Sequence, residues 1–314
     1  MSGMNLQMLP KMRDSWSYLY VDRCRIDQDG KAIALHDLNG KTAVPCAALA
    51  LLLLGPGTTI THAAIKTLTD YGCSVLWTGE GGVRMYAQGL GETRSAQRLL
   101  HQTRLYVDEG LRLKVVRNMY SFRFQESLDA NLNLRQIRGK EGIRVREAYA
   151  KASRETGVEW HGRTYKRDDW QSADPINRAL SAANSCLYGI SHAAIVAAGY
   201  STGLGFIHTG KLLSFVYDIA DLYKANITIP AAFQAVKEGL DGMESRVRRT
   251  LRDRFKEQRL LKTIINDIDQ VLDIGVVPAN SLYDVDSAAP SDLWDPEHEA
   301  VEGGINWAEG GASE

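Results

Sequence analysis

The hydrophobic period of the chain changes near residue 93, and this change constrains the fold more than any other feature. Before it, short strand-like segments such as Ala32–Leu38 and Ser74–Thr78 are separated by glycine-containing turns. After it, apolar residues recur at three- and four-residue intervals, as in Leu111, Val115 and Met119. The pattern predicts an α+β fold, with a small β-rich N-terminal domain over 1–92 and a larger all-α domain over 93–283.

Local signals place individual elements within these domains. Thr61 is a predicted N-cap for a helix reaching Asp70, and Asp174-Pro175 opens a helix that ends at Gly199. The N-terminal domain is also predicted to contain a strand over Trp16–Val21 and an apolar run, Ala47–Leu54, that forms a buried strand or turn. The helical domain is predicted to contain an amphipathic helix from Leu99 to Met119, a helix over Glu141–Arg154 and a loop over Gly203–Lys211. It continues with a helix capped by Ser214 and one long basic helix over Arg246–Val271.

Charge is distributed unevenly along the chain. The formal net charge is −1, from 37 basic and 38 acidic residues. Residues 284–314 contain nine Asp or Glu residues and no Lys or Arg, so residues 1–283 carry a net charge of +8. This partition indicates an anion-binding body and a separate acidic tail that is expected to be disordered when alone. The near-neutral total therefore does not exclude a nucleic-acid partner.

The cysteines and the apolar runs indicate the compartment. Cys24, Cys46, Cys73 and Cys186 form no C-x-x-C pair, and we expect reduced thiols in a cytoplasmic protein. The longest apolar run has eight residues, whereas a membrane span needs about 20. No membrane or targeting segment is expected.

The most informative motif joins a loop histidine to two helical carboxylates. Asp218 and Asp221 stand at i and i+3, so both should face the same side of their helix, and His208 lies in the preceding loop. Carboxylates with one imidazole suit Mg²⁺ or Mn²⁺. By spacing alone, a capping or surface pair and a loop hydrogen-bonding histidine remain open alternatives.

A second candidate is Glu141, which follows Arg138-Gly-Lys at the predicted start of a helix. A glutamate in a first helical turn is favoured by the helix dipole alone. Arg138, Arg144 and Arg146 make its surroundings electropositive, so Glu141 is either salt-bridged or a metal ligand beside phosphate-binding side chains.

Several tracts together resemble the CRISPR-associated spacer-acquisition integrases, and the type I-E branch in particular. The resemblance runs in unbroken order from about Leu19 to Leu272. Its motifs include Arg138-Gly-x-Glu141-Gly, Asn184-Ser-Cys-Leu-Tyr188-Gly, Ala197-Ala-Gly-Tyr200, Gly205-Phe-x-His208-Thr-Gly-Lys211 and Ser214-Phe-Val-Tyr-Asp218-Ile-Ala-Asp221. The match departs at Thr59 and Lys66, where related sequences often carry arginine.

The resemblance implies a catalytic site made by Glu141, His208 and Asp221 around Mg²⁺ or Mn²⁺, with Asp218 adjacent and also required. The implied reaction is a transesterification in which the 3′-hydroxyl of prespacer DNA attacks the phosphodiester at the leader–repeat junction. A bound divalent ion suits this chemistry, and no protein nucleophile is needed.

Positively charged and aromatic side chains are expected to contact the DNA. Lys211 and Arg138 could neutralise the reacting phosphate, Tyr165 and Tyr188 could stack on terminal nucleotides, and Arg248 with its neighbours could line a channel for the 3′ single strand. The full set expected to bind DNA is Arg84, Arg138, Arg146, Arg163, Tyr165, Tyr188, Lys211, Lys224 and Arg248.

The resemblance also implies partners. The β-rich domain should form a homodimer, and two dimers should join a dimer of a small ferredoxin-like CRISPR-associated protein in a 4:2 complex. The substrates are prespacer duplex with 3′ single-stranded ends and CRISPR array DNA. The tail, with Trp294 and Trp307, either docks on the small protein or competes with DNA for the basic body.

Two other functions fit the same residues. A stand-alone metal-dependent endonuclease for branched or repair intermediates would use the same site with water as the nucleophile. A non-catalytic DNA-bending scaffold would need only the basic surfaces.

Overall fold

The computed structural model describes residues 18–82, 84–89, 96–129, 131–163 and 174–273. These residues form two compact units, one mainly of residues up to 80 with 85–89, and the other of residues from 97 onward together with a short stretch before Met85. The acidic tail, Trp16 and Tyr165 lie outside the described residues.

The N-terminal unit contains two four-stranded sheets. The strands are β1 (Tyr18–Val21), β2 (Arg25–Asp29), β3 (Ala32–Asp37), β4 (Gly40–Pro45), β5 (Leu51–Leu54), β6 (Thr59–Ile60), β7 (Ser74–Thr78) and β8 (Met85–Gly89). One sheet has the order β1-β5-β7-β8, with β1, β5 and β7 parallel and β8 antiparallel to β7. The other has the order β4-β3-β2-β6, an antiparallel meander to which β6 adds in parallel.

The core of this unit explains its most apolar sequence run. All four leucines of β5 are buried, because β5 is an inner parallel strand, and strands of this kind carry continuous apolar runs. Helix α1 (His62–Asp70) contributes Ala64 and Leu68 to the same core. Thr61 caps α1 by accepting a hydrogen bond from the Ala64 amide, as its position predicts.

The C-terminal unit is helical. Its helices are α2 (Gln97–Val107), α3 (Glu109–Phe124), α4 (Leu134–Thr156), α5 (Pro175–Ala198), α6 (Ser214–Tyr223), α7 (Ile229–Lys237), α8 (Met243–Glu257) and α9 (Leu260–Val271), with a π-helical stretch at Lys224–Thr228. Helix α5 is the buried centre and packs against α6, α7, α8 and α9. It begins with the predicted Asp174 cap and Pro175 at its first position.

Several predicted helix boundaries are wrong. The helix predicted over Leu99–Met119 is two helices, because Asp108 caps α3 through the Leu111 amide. The basic helix predicted from Arg246 to Val271 breaks at Arg259, which adopts a left-handed conformation with φ of 47°. Glu141 does not start its helix, since α4 begins seven residues earlier at a capping box of Asn133 and Gln136.

The order of a β-rich unit followed by a helical unit confirms the predicted α+β fold for the described residues. Within these residues, no helix is both long and apolar enough to cross a membrane. All four cysteines are buried, and the described part of the chain contains no disulfide.

Candidate active site

Asp218 is fully buried in α6 and holds the loop that carries His208. Its Oδ2 accepts hydrogen bonds from the amides of Phe206 and Ile207 at 2.5 and 3.0 Å, and its Oδ1 accepts from the His208 amide at 2.9 Å. A buried carboxylate needs such partners, because an unpaired charge away from water is costly. Asp218 is therefore a clamp for residues 206–208. Ser214 is the first residue of α6 rather than its cap, and its Oγ accepts from the Lys211 amide.

The same carboxylate also orients the imidazole. Nδ1 of His208 lies 2.7 Å from Oδ1 of Asp218, and the ring meets Tyr217 edge to face. The hydrogen bond to Asp218 raises the pKa of His208 in spite of partial burial. Because Nδ1 is engaged by Asp218, Nε2 is the nitrogen that could bind a metal ion, an arrangement common among metal-binding histidines.

Gly205 lets the loop approach α6. A Cβ atom at this position would lie 2.3 Å from the carbonyl oxygen of His208 and 2.7 Å from Ser214. No larger residue fits there without shifting the backbone, so the glycine is required by the close approach of the loop to the helix.

Glu141 faces these residues from α4. It forms an ion pair with Arg123 of α3, whose side chain is only 6% exposed. Burial raises the pKa of Glu141 and the charge of Asp221 raises it further, while Arg123 and His208 act in the opposite direction. Glu141 is therefore within electrostatic reach of both His208 and Asp221.

Asp221 is paired with Lys224, one helical turn further along. The ammonium nitrogen lies 2.5 Å from Oδ1 of Asp221, donates to the Tyr188 hydroxyl at 2.8 Å, and stands 4.8 Å from the centre of the Tyr188 ring. Burial alone lowers the pKa of Lys224, but Asp221 and Tyr188 outweigh it and the pKa is raised. Lys224 is held in the charged state beside a predicted metal ligand.

These elements enclose one small cavity. Its lining includes Glu141, Asp218 and Asp221 together with Arg123 and Ile207. The oxygen and nitrogen donors suit a hard or borderline divalent ion, and the Asp218–His208 contact supplies an outer-shell support. As they stand, no three His, Cys, Asp or Glu side chains among the described residues converge tightly enough to hold an ion. The donor set fits a metal chemically, and two of its carboxylates are already paired, Glu141 with Arg123 and Asp221 with Lys224.

The predicted DNA-binding residues are placed differently from one another. Arg84, Arg146 and Lys211 are exposed, and so are Arg138, which donates to the carbonyl oxygen of Ile207, and Arg163, which donates to Asn177. Tyr188 meets Tyr217 edge to face and bonds Lys224. Arg248 donates to Ser245 from helix α8.

The electropositive patch predicted around Glu141 is weaker than its sequence suggests. Arg144 is bonded to Glu126 at 2.6 Å and to Glu147 at 3.0 Å, so its charge is locally balanced. Arg246, counted in the basic helix, bonds the carbonyl oxygens of Ala235, Gly239 and Asp241 at the end of α7. These two arginines are already paired within the chain, so they present less free charge than their number in the sequence suggests.

Two residues of the site escape a sequence-only analysis. Arg123 is the partner of Glu141, and Tyr217 packs against both His208 and Tyr188. Arg123 carries a detectable signal, because it continues the buried stripe of Val116, Met119 and Tyr120 along α3. A charged residue on an apolar helix face needs a buried partner of opposite charge.

Comparisons with known proteins identify the class of enzyme that this arrangement belongs to. Residues 17–141 and 122–242 match the family model described as CRISPR associated protein Cas1. The chain is 52% identical over 305 residues to the CRISPR-associated endonuclease Cas1 2 of Thermus thermophilus, covering 97% of this chain and 94% of that protein. It is 40% identical over 303 residues to the CRISPR-associated endonuclease Cas1 of Escherichia coli K12, covering 95% and 99%.

A solved structure agrees. The crystal structure of a TtCas1–DNA complex matches with a TM-score of 0.77 and 54% sequence identity, over 84% of this chain and 99% of that one. The relatives are endonucleases of CRISPR systems, so the chain belongs to a class of DNA-processing enzymes. It belongs to the Cas1 family. The prediction of an enzyme of CRISPR spacer acquisition is confirmed at the level of the family.

Proposed function

We propose that the chain is the integrase of a type I-E-like CRISPR adaptation complex. It joins the 3′-hydroxyl of prespacer DNA to the phosphodiester at the leader–repeat junction. The observation that carries this proposal is the imidazole of His208, fixed by Asp218 beside Glu141 and Asp221 in a chain of the Cas1 family. Two carboxylates that line one cavity, with an imidazole held by the neighbouring Asp218, are the donor types that metal-assisted phosphoryl transfer uses.

The metal would be Mg²⁺ or Mn²⁺, held by Glu141, His208 and Asp221. When bound, such an ion lowers the pKa of the attacking hydroxyl and polarises the phosphoryl oxygen. The catalytic set is then completed by Asp218, which keeps Nε2 of His208 pointed away from the clamp. Donor chemistry supports this assignment, together with the electrostatic influence of Asp221 and His208 on Glu141.

The protein's own cations would hold the reacting DNA strand. Lys211 is exposed in the loop after His208, and Arg138 is anchored on Ile207 in the same loop. In this proposal, both neutralise charge that develops on a phosphate near the site. Tyr188 and Tyr165 would stack on terminal nucleotides.

A second group of contacts would track the DNA backbone further from the chemistry. It comprises Arg84, Arg146, Arg163 and Arg248, whereas Lys224, predicted with them, lies beside Asp221 in the site itself. Helix α8 supports this assignment because Met243, Val247, Leu251 and Phe255 bury one face, which leaves Arg249, Arg252 and Lys256 exposed. Clustered exposed cations of this kind give sequence-independent affinity for phosphates.

The assembly would be a heterohexamer. In this proposal, residues 1–92 form the homodimer interface and residues 93–283 the catalytic domain. Two dimers bind a dimer of a small ferredoxin-like protein, and the acidic tail 284–314 docks on that protein. In this proposal, integration takes place in the cytoplasm, where thiols such as the buried Cys24 and Cys186 stay reduced.

Integration assays test the proposal. A supercoiled array plasmid, a prespacer and Mn²⁺ or Mg²⁺ are combined with the chain, with and without the small partner, and integrated products are counted. His208→Ala and Asp221→Ala should abolish strand transfer and leave DNA affinity unchanged. His161→Ala and Asp241→Ala, which remove exposed groups of the same types, serve as matched controls.

Each other outcome selects a different function. Nicked plasmid without integrated product would indicate the stand-alone endonuclease. A salt-sensitive mobility shift without any strand cleavage would indicate a DNA-bending scaffold. Full integration by Asp221→Ala would refute the metal assignment.

A further inference from the structure

We propose that Lys224 is a placeholder cation, which neutralises Asp221 until a divalent ion is bound and so lowers the affinity of the site for that ion. This inference rests on the metal site of the proposed function and concerns a residue outside the ligand set. Lys224 would act on metal binding through Asp221, in addition to any contact it makes with DNA.

The first observation is the ion pair itself. The ammonium nitrogen of Lys224 lies 2.5 Å from Oδ1 of Asp221, and the two side chains are only 18% and 16% exposed. At this distance and exposure the pair is screened much less than a surface pair. A cation that approaches Asp221 must therefore replace an existing favourable contact.

The second observation is a balance of charge around the cavity. The negative charge of Glu141 is balanced by the positive charge of Arg123, and that of Asp221 by Lys224. Asp218 is satisfied by three amides and by His208. Adding a divalent ion to this balanced set would leave excess positive charge, and withdrawal of Lys224 from Asp221 reduces that excess.

The third observation separates Lys224 from Arg123. Arg123 is fixed in the buried face of α3, and its guanidinium lies 4.9 Å from the ring centre of Phe124. Lys224 is the first residue of the π-helical stretch that follows α6, and it has a flexible four-carbon stem. It also has a second partner, the hydroxyl and ring of Tyr188. Lys224 can leave Asp221 and remain bound to Tyr188, so it is the cation that yields.

The test measures metal binding directly, by titrating the purified full chain with Mn²⁺ and following free Mn²⁺ by electron paramagnetic resonance. Lys224→Met removes the competing charge and should tighten Mn²⁺ binding between about 5- and 150-fold, the usual range for a coupling between two binding events. Lys151→Met removes a lysine from an exposed Lys–Glu pair on α4 and should leave the affinity unchanged.

A second variant guards against misfolding. Lys224→Gln keeps a donor for Tyr188 without the charge and should also bind Mn²⁺ more tightly, while thermal unfolding reports whether each variant is folded. Lys224→Arg keeps the charge and should show no gain. Equal or weaker Mn²⁺ binding by both neutral variants would overturn the placeholder.

Asp221→Ala separates this inference from the function on which it rests. Loss of the Mn²⁺ site in Asp221→Ala, with unchanged affinity in Lys224→Met and Lys224→Gln, would overturn the placeholder alone. If Asp221→Ala binds Mn²⁺ as well as the unmodified chain does, the metal site is elsewhere and both proposals are wrong.

Discussion

Oδ1 of Asp218 lies 2.7 Å from Nδ1 of His208 and 2.9 Å from the backbone amide of the same residue. One carboxylate oxygen thus fixes both the ring and the main chain of the histidine. The other oxygen holds the two preceding amides. The orientation of His208 is therefore determined by α6 rather than by the loop's own conformation.

Asp218→Asn tests this relationship. The asparagine side chain replaces one acceptor oxygen of Asp218 with an NH₂ group, which cannot accept a hydrogen bond. At least one of the four contacts that the carboxylate makes with the backbone amides of residues 206–208 and with the His208 ring must therefore be lost. Outer-shell losses of this kind usually cost about 10- to 100-fold in metal affinity or activity. We expect a loss of that size in both Mn²⁺ affinity and strand transfer.

Asp267→Asn is the matched control for Asp218→Asn. Asp267 of α9 accepts from the Tyr223 hydroxyl at 2.5 Å, at the opposite end of α6 from the His208 loop. An Asp218→Asn chain with normal Mn²⁺ affinity would show that the clamp does not position His208.

Asp269 anchors a buried network at the end of α5. It accepts from Arg98 of α2 and from the hydroxyl of Tyr200, each at 2.8 Å. Asp269→Leu leaves the partly buried charge of Arg98 without its carboxylate, so we expect a loss of about 3 kcal/mol in the free energy of unfolding. Urea denaturation followed by circular dichroism measures it.

The double variant Arg98→Met/Asp269→Leu isolates the cause. It removes both charges and should recover most of the lost stability, apart from a residual cost for the Tyr200 hydroxyl. If the double variant were as unstable as Asp269→Leu, the loss of stability would come from altered packing rather than from the unpaired charge of Arg98.

Sequence patterns predict the elements well where packing follows local periodicity. Thr61 and Asp174 begin their helices as expected, since N-caps depend on contacts within three residues. The breaks at Asp108 and Arg259 are not predicted, because the apolar period continues across them. The Asp108 cap and the left-handed Arg259 accompany the packing of α2 against α3 and of α8 against α9.

The candidate site could be predicted as a list of residues but not as a geometry. The spacing of Asp218 and Asp221 places both on the lining of one cavity. It does not reveal that Asp218 binds a loop while Asp221 pairs with Lys224, because those partners are chosen by tertiary contacts. The role of Arg123 cannot be predicted for the same reason, because its partner Glu141 belongs to another helix.

Stability should depend on pH through Glu244, which links α8 to α5. Partial burial raises the pKa of Glu244, but two hydrogen bonds from Arg178, at 2.8 and 2.5 Å, outweigh it and the pKa is lowered. A carboxylate with a lowered folded-state pKa stabilises the fold above its usual pKa of 4.5, and this contribution is lost as the pH falls through the folded value.

Glu244→Gln should therefore cost about 1.5 kcal/mol at neutral pH. The difference from the unmodified chain should shrink towards zero at an acidic pH below the lowered folded-state pKa, where Glu244 is protonated in both states. Urea denaturation at the two pH values checks this. Glu155→Gln, in an exposed pair with Lys151, should change stability little at either pH. A cost that does not vary with pH would show that the ion pair is not its source.

The two kinds of arginine on α8 should separate DNA affinity from stability. Arg249 is exposed, whereas Arg246 caps the end of α7 through the carbonyl oxygens of Ala235 and Gly239. Arg249→Ala should reduce the slope of log K against log salt for DNA binding by about 1, as expected for one lost phosphate contact, with unfolding unchanged. Arg246→Ala should leave that slope unchanged and lower the free energy of unfolding by about 1–3 kcal/mol, because partly buried carbonyls lose a charged donor. DNA titrations at several salt concentrations and urea denaturation give both quantities.

A changed slope for Arg246→Ala with an unchanged slope for Arg249→Ala would show that DNA does not bind the face of α8 that carries Arg249.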